Sequence, residues 1–406
     1  MFNKNLEVLF LAVVFALANG CAYAAGGFTH MYIAKKSFDA IKDPQIKKTI
    51  QENLGAYYLG AHFPDVGYIS NNLKDYKELL LIIGKPEAMA ISGKNYGEIT
   101  HWDEFLDEYK NVLSGKYKHP ITDNPAAFAF ILGVATHRVS DDIWHTERDD
   151  LLDDAVKGVK VCGEINSTSK CLFEGEPPYA DWKIQPNADW KFKTCDKSRS
   201  RFCYYGFILK LRDLDALAWT DKIKDAHWAA DVGIDYAVYT DHRIDLDVPR
   251  ALGSVDSASD SALDIAVETL RNLDAKTVLC LDKKDNTKKP CNPIRQTQGG
   301  FDVPTKQDIL RDFFVYKSFA VDGIVKQSKD KNDLGVPAIG VLRTYGFYSK
   351  LHLMDWAFAN YETDPDVGLN AIAVHVTNCI SALGAMLKDD AGSQKMFRFC
   401  EENPKR

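Results

Sequence analysis

The sequence predicts an all-α protein with one helical domain. Apolar residues recur at three- and four-residue spacing along most of the chain, which is the period of an amphipathic helix. No sustained two-residue alternation indicates a large sheet. No internal repeat or clear linker divides the chain, so we expect one domain rather than two. The predicted helices are residues 31–54, 102–113, 126–145, 205–224, 306–326, 341–361 and 366–387.

The composition is that of a globular protein, and the net charge argues against some classes of binding partner. The chain has 406 residues, of which 46% are hydrophobic, so it can bury a core. A net charge of −7 argues against a nucleic-acid binder that relies on a basic surface, and against strong attraction to an anionic membrane. We therefore expect no stable binding of nucleic acid. Oligomeric state is left open.

Two regions break the helical pattern. Residues 158–204 contain four cysteines and a Pro-Pro pair, which predicts a loop insertion pinned by disulfides. Its role is either that of a lid or of a loop that binds the substrate or the interface, or that of a structural decoration. Residues 281–300 are rich in Lys, Pro and Gly and predict a surface loop. The Ser/Asp-rich run at 254–261 predicts either a loop or the start of a helix.

The N-terminus predicts a signal peptide of residues 1–24. An apolar run over residues 8–18 has the length of a signal-peptide core and is too short to span a bilayer. An A-x-A cleavage pattern ends at Ala24, so Ala25 would begin the mature chain. The alternative is lipoprotein cleavage before Cys21. We expect no later stretch to be long and apolar enough to cross a membrane.

Cysteine usage favours export to a secreted or periplasmic location. Eight of the nine cysteines fall in the predicted mature domain of residues 25–406, and none has the CxxC spacing of a zinc–thiolate or redox site. Disulfides formed in an oxidising compartment are one interpretation, and buried free thiols are the other. Pairing by proximity would join Cys162 with Cys171, Cys195 with Cys203, Cys280 with Cys291, and Cys379 with Cys400.

The strongest chemical signal is an HxxxDxxxH motif formed by His137, Asp141 and His145. Residues four apart on a helix project from the same face. At a rise of 1.5 Å per residue, the two histidines lie about 12 Å apart along the axis, too far to share one ion bound at about 2 Å. If all three are ligands, they serve at least two ions, and Asp141 is placed to bridge them.

Further candidate ligands are scattered along the chain. His227 and Asp231 form another four-residue pair in a probable helix and can supply half of a zinc site. His30 lies close to the predicted mature N-terminus. Asp65 lies in a predicted loop with the sequence GAHFPD, and His101 precedes a predicted helix. Taken alone, each of the last three is more often a core or surface residue than a ligand.

The order of these pieces resembles the zinc-dependent phospholipase C family. A Thr-His, a Phe-Pro-Asp, a Thr-His-Trp, an HxxxDxxxH ending in Trp-His, and an Ala-His-xxx-Asp follow one another within residues 25–240. The resemblance is greatest to the catalytic domain of glycosylphosphatidylinositol-specific phospholipase D. Fungal single-strand nucleases share this zinc architecture and are more distant. The resemblance implies a helical domain of this type with about three Zn²⁺ ions.

The resemblance also implies which residues bind each ion. One zinc would take Asp65, His101, His137 and Asp141. A second would take His145, His227 and Asp231. A third would take His30, Asp141 and the amine and carbonyl of Ala25. This last ligand favours cleavage after Ala24, because lipoprotein cleavage would acylate and displace the new amine. The chain departs from the bacterial phospholipase C pattern, which has Glu at the position of Asp231 and a longer gap between the helix Asp and the next His.

The implied function is hydrolysis of a phosphodiester in a phospholipid by a metal-activated water. Asp65 would orient or deprotonate that water. The expected partners are the phospholipid substrate and, transiently, a membrane surface. Because C-type and D-type cleavage attack the same phosphorus, the sequence does not separate them. The alternatives are a zinc-dependent single-strand nuclease or nucleotidase, and a noncatalytic relative that only binds metal or a partner.

Overall fold

The computed structural model describes mainly the helical part of the chain. The described residues are 26–74, 92–101, 103–145, 148–149, 161–165, 168–172, 203–204, 234–235, 237–239, 241–242, 257–276, 278–281, 288–291, 301–317, 361–363 and 368–388. Within these ranges, helices pack around a common core and the strands form only short two-stranded ribbons. The all-α prediction is confirmed.

The helices, in chain order, are α1 (Gly27–Ala40), α2 (Pro44–Glu52), α3 (Leu54–Lys74), α4 (Gly97–Thr100), α5 (Asp103–Lys116), α6 (Pro120–Asp123), α7 (Pro125–His145), α8 (Ser257–Ala275), α9 (Lys306–Tyr316) and α10 (Leu369–Lys388). The antiparallel ribbons pair β1 (Arg148–Asp149) with β4 (Cys203–Tyr204), β2 (Val161–Ile165) with β3 (Thr168–Leu172), and β5 (Val278–Leu281) with β6 (Lys288–Cys291). The described residues between 234 and 242 are also helical.

The helix predicted over residues 31–54 is divided into α1 and α2. Pro44 fits only the first turn of a helix, because it lacks an N–H and its ring would clash with a preceding turn. The carboxylate of Asp43 accepts hydrogen bonds from the backbone N–H groups of Gln45 and Ile46 at 2.8 and 3.0 Å. This cap starts α2 as a separate helix.

The GAHFPD segment, predicted to be a loop, instead lies inside α3, with Pro64 in the helix interior. Close packing of α3 on α7 explains the error. A Cβ added to Gly60 would lie 2.1 Å from the carbonyl oxygen of Phe130, and one added to Gly133 would lie 2.0 Å from that of Tyr57. The two glycines therefore let the helix backbones touch, and this contact outweighs the local effect of the proline.

The core is centred on α7. Residues 126–137 of this helix are all buried, and α1, α3, α8 and α10 pack against it. The ring of Phe63 on α3 contacts those of Phe130, Phe105 and Phe313, at centroid distances of 5.3, 5.5 and 6.4 Å. These rings join α3, α5, α7 and α9 around Phe63, which lies two positions before Asp65. Burying each ring contributes about 1.5–3 kcal/mol to the free energy of unfolding.

Among the described helices, α10 is long and apolar enough to cross a membrane by length and composition. The expectation that no stretch after the signal peptide is long and apolar enough to cross a membrane is therefore wrong. The helix packs against α1 and α7, and 44% of its most apolar 18-residue stretch is buried. Ser37 of α1 donates a hydrogen bond to the carbonyl of Ala373 at 3.2 Å. Such contacts are those of a core helix, and a core helix can be as long and as apolar as a membrane span.

Several predictions fall outside the described residues. They concern the signal peptide at residues 1–24, Ala25, the helices at 205–224 and 341–361, and most of the insertion at 158–204. The division into a signal peptide and one mature domain therefore stays a prediction.

The structure describes parts of the predicted loops and some of the cysteines. The run at 254–261 contains the start of α8, and the predicted loop at 281–300 contains strand β6. The β2–β3 register places Cys162 opposite Cys171. Cys379 is disulfide-bonded, but its partner is not among the described residues. The four disulfide pairings stay predictions.

Candidate metal centre

Three histidines and two aspartates from separate helices meet in the core. His30 lies on α1, Asp65 on α3, and His137 and Asp141 on α7, while His101 directly follows α4. Four of these side chains are buried, and that of His101 is 12% exposed. The structure thus brings together five of the nine predicted site residues, including two from the HxxxDxxxH motif.

In the part of the chain that the structure describes, two groups of three side chains have ligand atoms close enough to hold one ion, namely His101, His137 and Asp141, and His30, Asp65 and His137. Nε2 of His101 lies 3.7 Å from Oδ1 of Asp65 and 3.4 Å from Oδ2 of Asp141. Nε2 of His137 lies 3.6 and 3.3 Å from the same two oxygens, and 3.0 Å from Nε2 of His101. Ligand atoms held at 2.0–2.1 Å from tetrahedral zinc are about 3.3 Å apart. The spacing fits such an ion.

His30 faces the other oxygens of the same two carboxylates. Its Nε2 lies 3.3 Å from Oδ1 of Asp141 and 3.8 Å from Oδ2 of Asp65. Each carboxylate therefore presents one oxygen to the His101–His137 pair and the other to His30. This arrangement suits two neighbouring ions. The sequence motif suggested a bridging position for Asp141 but gave no sign of one for Asp65.

Backbone carbonyl groups fix the orientation of two imidazoles. Nδ1 of His137 donates a hydrogen bond to the carbonyl of Ala61 at 2.8 Å, and Nδ1 of His101 donates to that of Gly97 at 2.7 Å. A carbonyl oxygen can only accept, so each Nδ1 carries the hydrogen. In the neutral ring, Nε2 then has a free lone pair, which is the form that binds a metal.

Ser140 fixes the orientation of the His30 imidazole, a role that the sequence did not predict. The Ser140 hydroxyl donates to the carbonyl of His137 at 2.8 Å. Its oxygen can therefore accept a hydrogen bond from Nδ1 of His30 at 3.1 Å. The only sequence signal for this role is the position of Ser140 inside the HxxxDxxxH motif.

Buried atoms without partners support a metal in this place. Within the described ranges, Nε2 of His30 and Oδ1 of Asp65 are buried and have no hydrogen-bond partner. The Nε2 atoms of His101 and His137 also lie only 3.0 Å apart. Leaving such atoms buried and unpaired costs about 1–3 kcal/mol each. Nitrogen and oxygen donors in this number are a set that zinc binds, so the residues fit a zinc ion.

Charges within the cluster shift its pKa values. Burial alone would lower the pKa of His101, but hydrogen bonds and charge from Asp141 and Asp65 raise it to about 10. The pKa of His30 is raised against burial in the same way. Burial and the charge of His30 lower the pKa of His137. Burial would raise the pKa of Asp141, but the histidines hold it well below its usual range. The two carboxylates therefore favour positive charge between the imidazoles, which a bound cation supplies.

Asp235 is a buried acid beside the cluster that the sequence analysis also missed. Its Oδ1 accepts a hydrogen bond from the backbone N–H of Thr29 at 2.6 Å. Burial raises the pKa of Asp235 to about 7, although hydrogen bonds from the first turn of α1 oppose the shift. A signal was present, since Asp235 continues the four-residue spacing of His227 and Asp231.

His62 and Tyr316 form another buried pair near the cluster. Nδ1 of His62 lies 3.0 Å from the hydroxyl of Tyr316. Burial, with the charges of His30 and His137, keeps the pKa of His62 well below its usual value. His62 is therefore neutral at pH 7. Sequence reasoning gave it no role, because no helical partner spacing accompanies it.

The other predicted ligands cannot be placed. His145 is the last residue of α7, but its side chain is outside the described part, as are His227, Asp231 and Ala25. The ion site formed by His145, His227 and Asp231 stays a prediction, and so does the amine ligand.

The helical fold and the buried His/Asp cluster together define a protein with a candidate zinc site. A family model described as zinc dependent phospholipase C matches residues 29–236, just over half of the chain. The chain belongs to this family, which confirms the resemblance inferred from the motifs.

Similarity to a curated protein points the same way. The chain is 28% identical over 152 residues to a phosphatidylinositol-glycan-specific phospholipase D from Dictyostelium discoideum. The match covers 36% of this chain and 14% of that protein. The match therefore spans only a small part of that protein's length. No solved structure matches the chain.

Proposed function

We propose that this chain is an exported zinc phosphodiesterase that hydrolyses phospholipids. The observation that carries the proposal is the convergence of the Nε2 atoms of His101 and His137 with carboxylate oxygens of Asp65 and Asp141, at distances of 3.0 to 3.7 Å. Family membership supports zinc as the metal and phospholipid as the substrate class. Export is supported by the predicted signal peptide.

In this proposal about three zinc ions are bound. The described residues offer all four ligands of the first ion, which are Asp65, His101, His137 and Asp141, and two ligands of the third, which are His30 and Asp141. The third ion would also take the amine and carbonyl of Ala25. The second would be held by His145, His227 and Asp231.

Bound zinc supplies Lewis acidity, which offsets the charge that grows on the phosphate oxygens and lowers the pKa of a water molecule toward neutrality. The residues of the chain hold and orient the reacting groups. The Nδ1 hydrogen bonds keep the three imidazoles in one tautomer and orientation, so little reorganisation is needed during the reaction. The carboxylate of Asp65 can accept a proton from a water molecule beside the phosphorus.

Burial of the cluster indicates where the phosphate approaches. His101 is the most exposed of the five side chains, and the ring of Tyr68 lies 4.8 Å from its imidazole. The substrate phosphate would therefore reach the ions from the His101 side. The other four side chains are enclosed by α1, α3 and α7, which exclude bulk water and strengthen electrostatic interactions within the site.

The test is metal content with product analysis on the purified mature protein. We expect about three zinc ions per chain by mass spectrometry of metals. We also expect hydrolysis of phosphatidylcholine or phosphatidylinositol that a chelator abolishes and zinc restores. Diacylglycerol as product indicates C-type cleavage, and phosphatidic acid indicates D-type cleavage.

Control substrates separate the alternatives. Cleavage of single-stranded DNA without cleavage of lipid would identify a nuclease and overturn the lipid assignment. Full zinc content without turnover on either substrate would identify a noncatalytic metal-binding protein. Less than about one zinc ion per folded chain would contradict the metal centre itself.

A further inference from the structure

The first turn of α1 lies against a buried carboxylate. Asp235 is only 2% exposed, and its Oδ1 accepts the backbone N–H of Thr29 at 2.6 Å. A Cβ added to Gly26 would lie 2.2 Å from Cγ of Asp235. The carboxyl group therefore occupies the space that any larger side chain at position 26 would need.

A second buried group contacts the next residue of the same turn. A Cβ added to Gly27 would lie 2.7 Å from the hydroxyl oxygen of Tyr316. That hydroxyl is itself held 3.0 Å from Nδ1 of His62, which is fully buried. Two consecutive glycines thus lie against two different polar groups, from α9 and from the helical residues near 235.

We propose that Asp235 and Tyr316 form a clamp that positions the first turn of α1 for the zinc ion nearest His30. This inference rests on the proposed function. The backbone N–H of His30 donates to the carbonyl of Gly26 at 3.1 Å, so a shift at Gly26 is passed directly to the ligand. The clamp also fixes the backbone next to Ala25, the proposed amine ligand.

A carboxylate suits this position for physical reasons. The first N–H groups of a helix have no partner within the helix, and the N-terminal end of its dipole favours negative charge. A buried carboxyl group is costly unless it is hydrogen-bonded, and the turn of α1 provides that bonding. Asp235 acts as a positioning residue. Among the described residues, the two His/Asp groups whose ligand atoms lie close enough for a metal do not include it.

The test replaces the clamp in the full mature protein and measures zinc. In Asp235→Ala we expect the zinc ion nearest His30 to bind about ten- to a hundredfold more weakly in chelator competition, as for other groups that orient ligands. Asp235→Asn keeps an oxygen that accepts the N–H of Thr29 and should restore most of that affinity. Gly26→Ala forces a Cβ onto Asp235 and should weaken the same ion.

Asp43→Ala is the matched control. Asp43 also accepts two N–H groups at the start of a helix, but α2 carries no candidate ligand. We expect this variant to melt at a lower temperature while binding zinc as the unsubstituted protein does. If it loses the same ion, the effect is general destabilisation and the clamp is refuted.

Each remaining outcome is also decisive. Unchanged zinc affinity in Asp235→Ala would overturn the clamp. If that variant does not fold, Asp235→Asn and Gly26→Ala decide, and unchanged affinity in Gly26→Ala refutes the proposal. Failure of the proposed function is seen separately in the unsubstituted protein. It would either bind no zinc, or bind zinc without hydrolysing phospholipid, whereas failure of the clamp leaves both properties intact.

Discussion

Each imidazole in the centre is held through Nδ1 so that Nε2 points at the carboxylates. The ligands on α7 could be predicted from sequence, because helical geometry places residues four apart on one face. The groups that hydrogen-bond to the Nδ1 atoms of these imidazoles could not be predicted. The carbonyl of Ala61 carries no side-chain signal, and Ser140 resembles any small polar helix residue. Both act through contacts between α1, α3 and α7 that exist only in the folded chain.

Removing the Ser140 hydroxyl should weaken one zinc site. In Ser140→Ala the Nδ1 atom of His30 loses its acceptor, so we expect about tenfold weaker binding of the ion nearest His30. Chelator competition measures this. Thr269→Val is the control, since it removes a buried hydroxyl that bonds to the carbonyl of Ile265 on α8, away from the centre. Equal zinc affinity in both variants would contradict the role of Ser140.

Zinc affinity should rise with pH. The pKa of His101 is raised to about 10, so in the metal-free protein it carries a proton at pH 7, and the pKa of His30 is raised as well. Zinc must displace bound protons, and the competition weakens as the pH approaches the raised pKa values. We expect proton release on binding, measured by calorimetry at pH 7 in two buffers of different ionisation enthalpy. Binding without proton release would show that the imidazoles are neutral.

At the scale of helices, the crossing of α3 and α7 brings Asp65 to His137 and Asp141. Periodicity was enough to predict α7, because its apolar residues keep helical spacing without interruption. It failed for α3, because Pro64 and Gly60 are usual signals of a loop. Here Gly60 is needed for contact with a neighbouring backbone, which a single sequence does not reveal.

Substituting the glycine at the crossing should destabilise the protein. Gly60→Ala would place a Cβ 2.1 Å from the carbonyl oxygen of Phe130, so we expect a loss of about 1–3 kcal/mol in the free energy of unfolding. Urea titration measures it. Gly115→Ala in α5 is the control, because nothing lies within 4 Å of its added Cβ. That change should stabilise slightly, by about 0.5–1 kcal/mol. A neutral Gly60→Ala would mean that the helices are not in contact there.

At the scale of the whole molecule, the metal centre joins segments far apart in sequence. The ligands come from α1, α3, the residue after α4, and α7, and each brings part of the core with it. The domain class and the set of ligand types could be recognised from motif order. Which carboxylate oxygen faces which imidazole could not, because that depends on how four separate segments pack.

Removing zinc should therefore lower the stability of the whole domain. A metal that binds only the folded chain at a hundred times its Kd adds about 2.7 kcal/mol to the free energy of unfolding. We expect the melting temperature to fall after dialysis against a chelator and to recover with zinc but not with magnesium, which prefers six oxygen ligands. An unchanged melting temperature after proven removal of the metal would contradict the coupling of metal binding to folding.

The contact between α1 and α10 has a consequence for the order in which the site is made. Ser37 and Ala373 are separated by 336 positions, so the helix that carries His30 cannot reach its final place until the ribosome has produced α10. The remaining ligands of the described cluster lie within α3 to α7 and can gather earlier in synthesis. We expect His30 to join last, so the ion beside it would be loaded only on the finished chain.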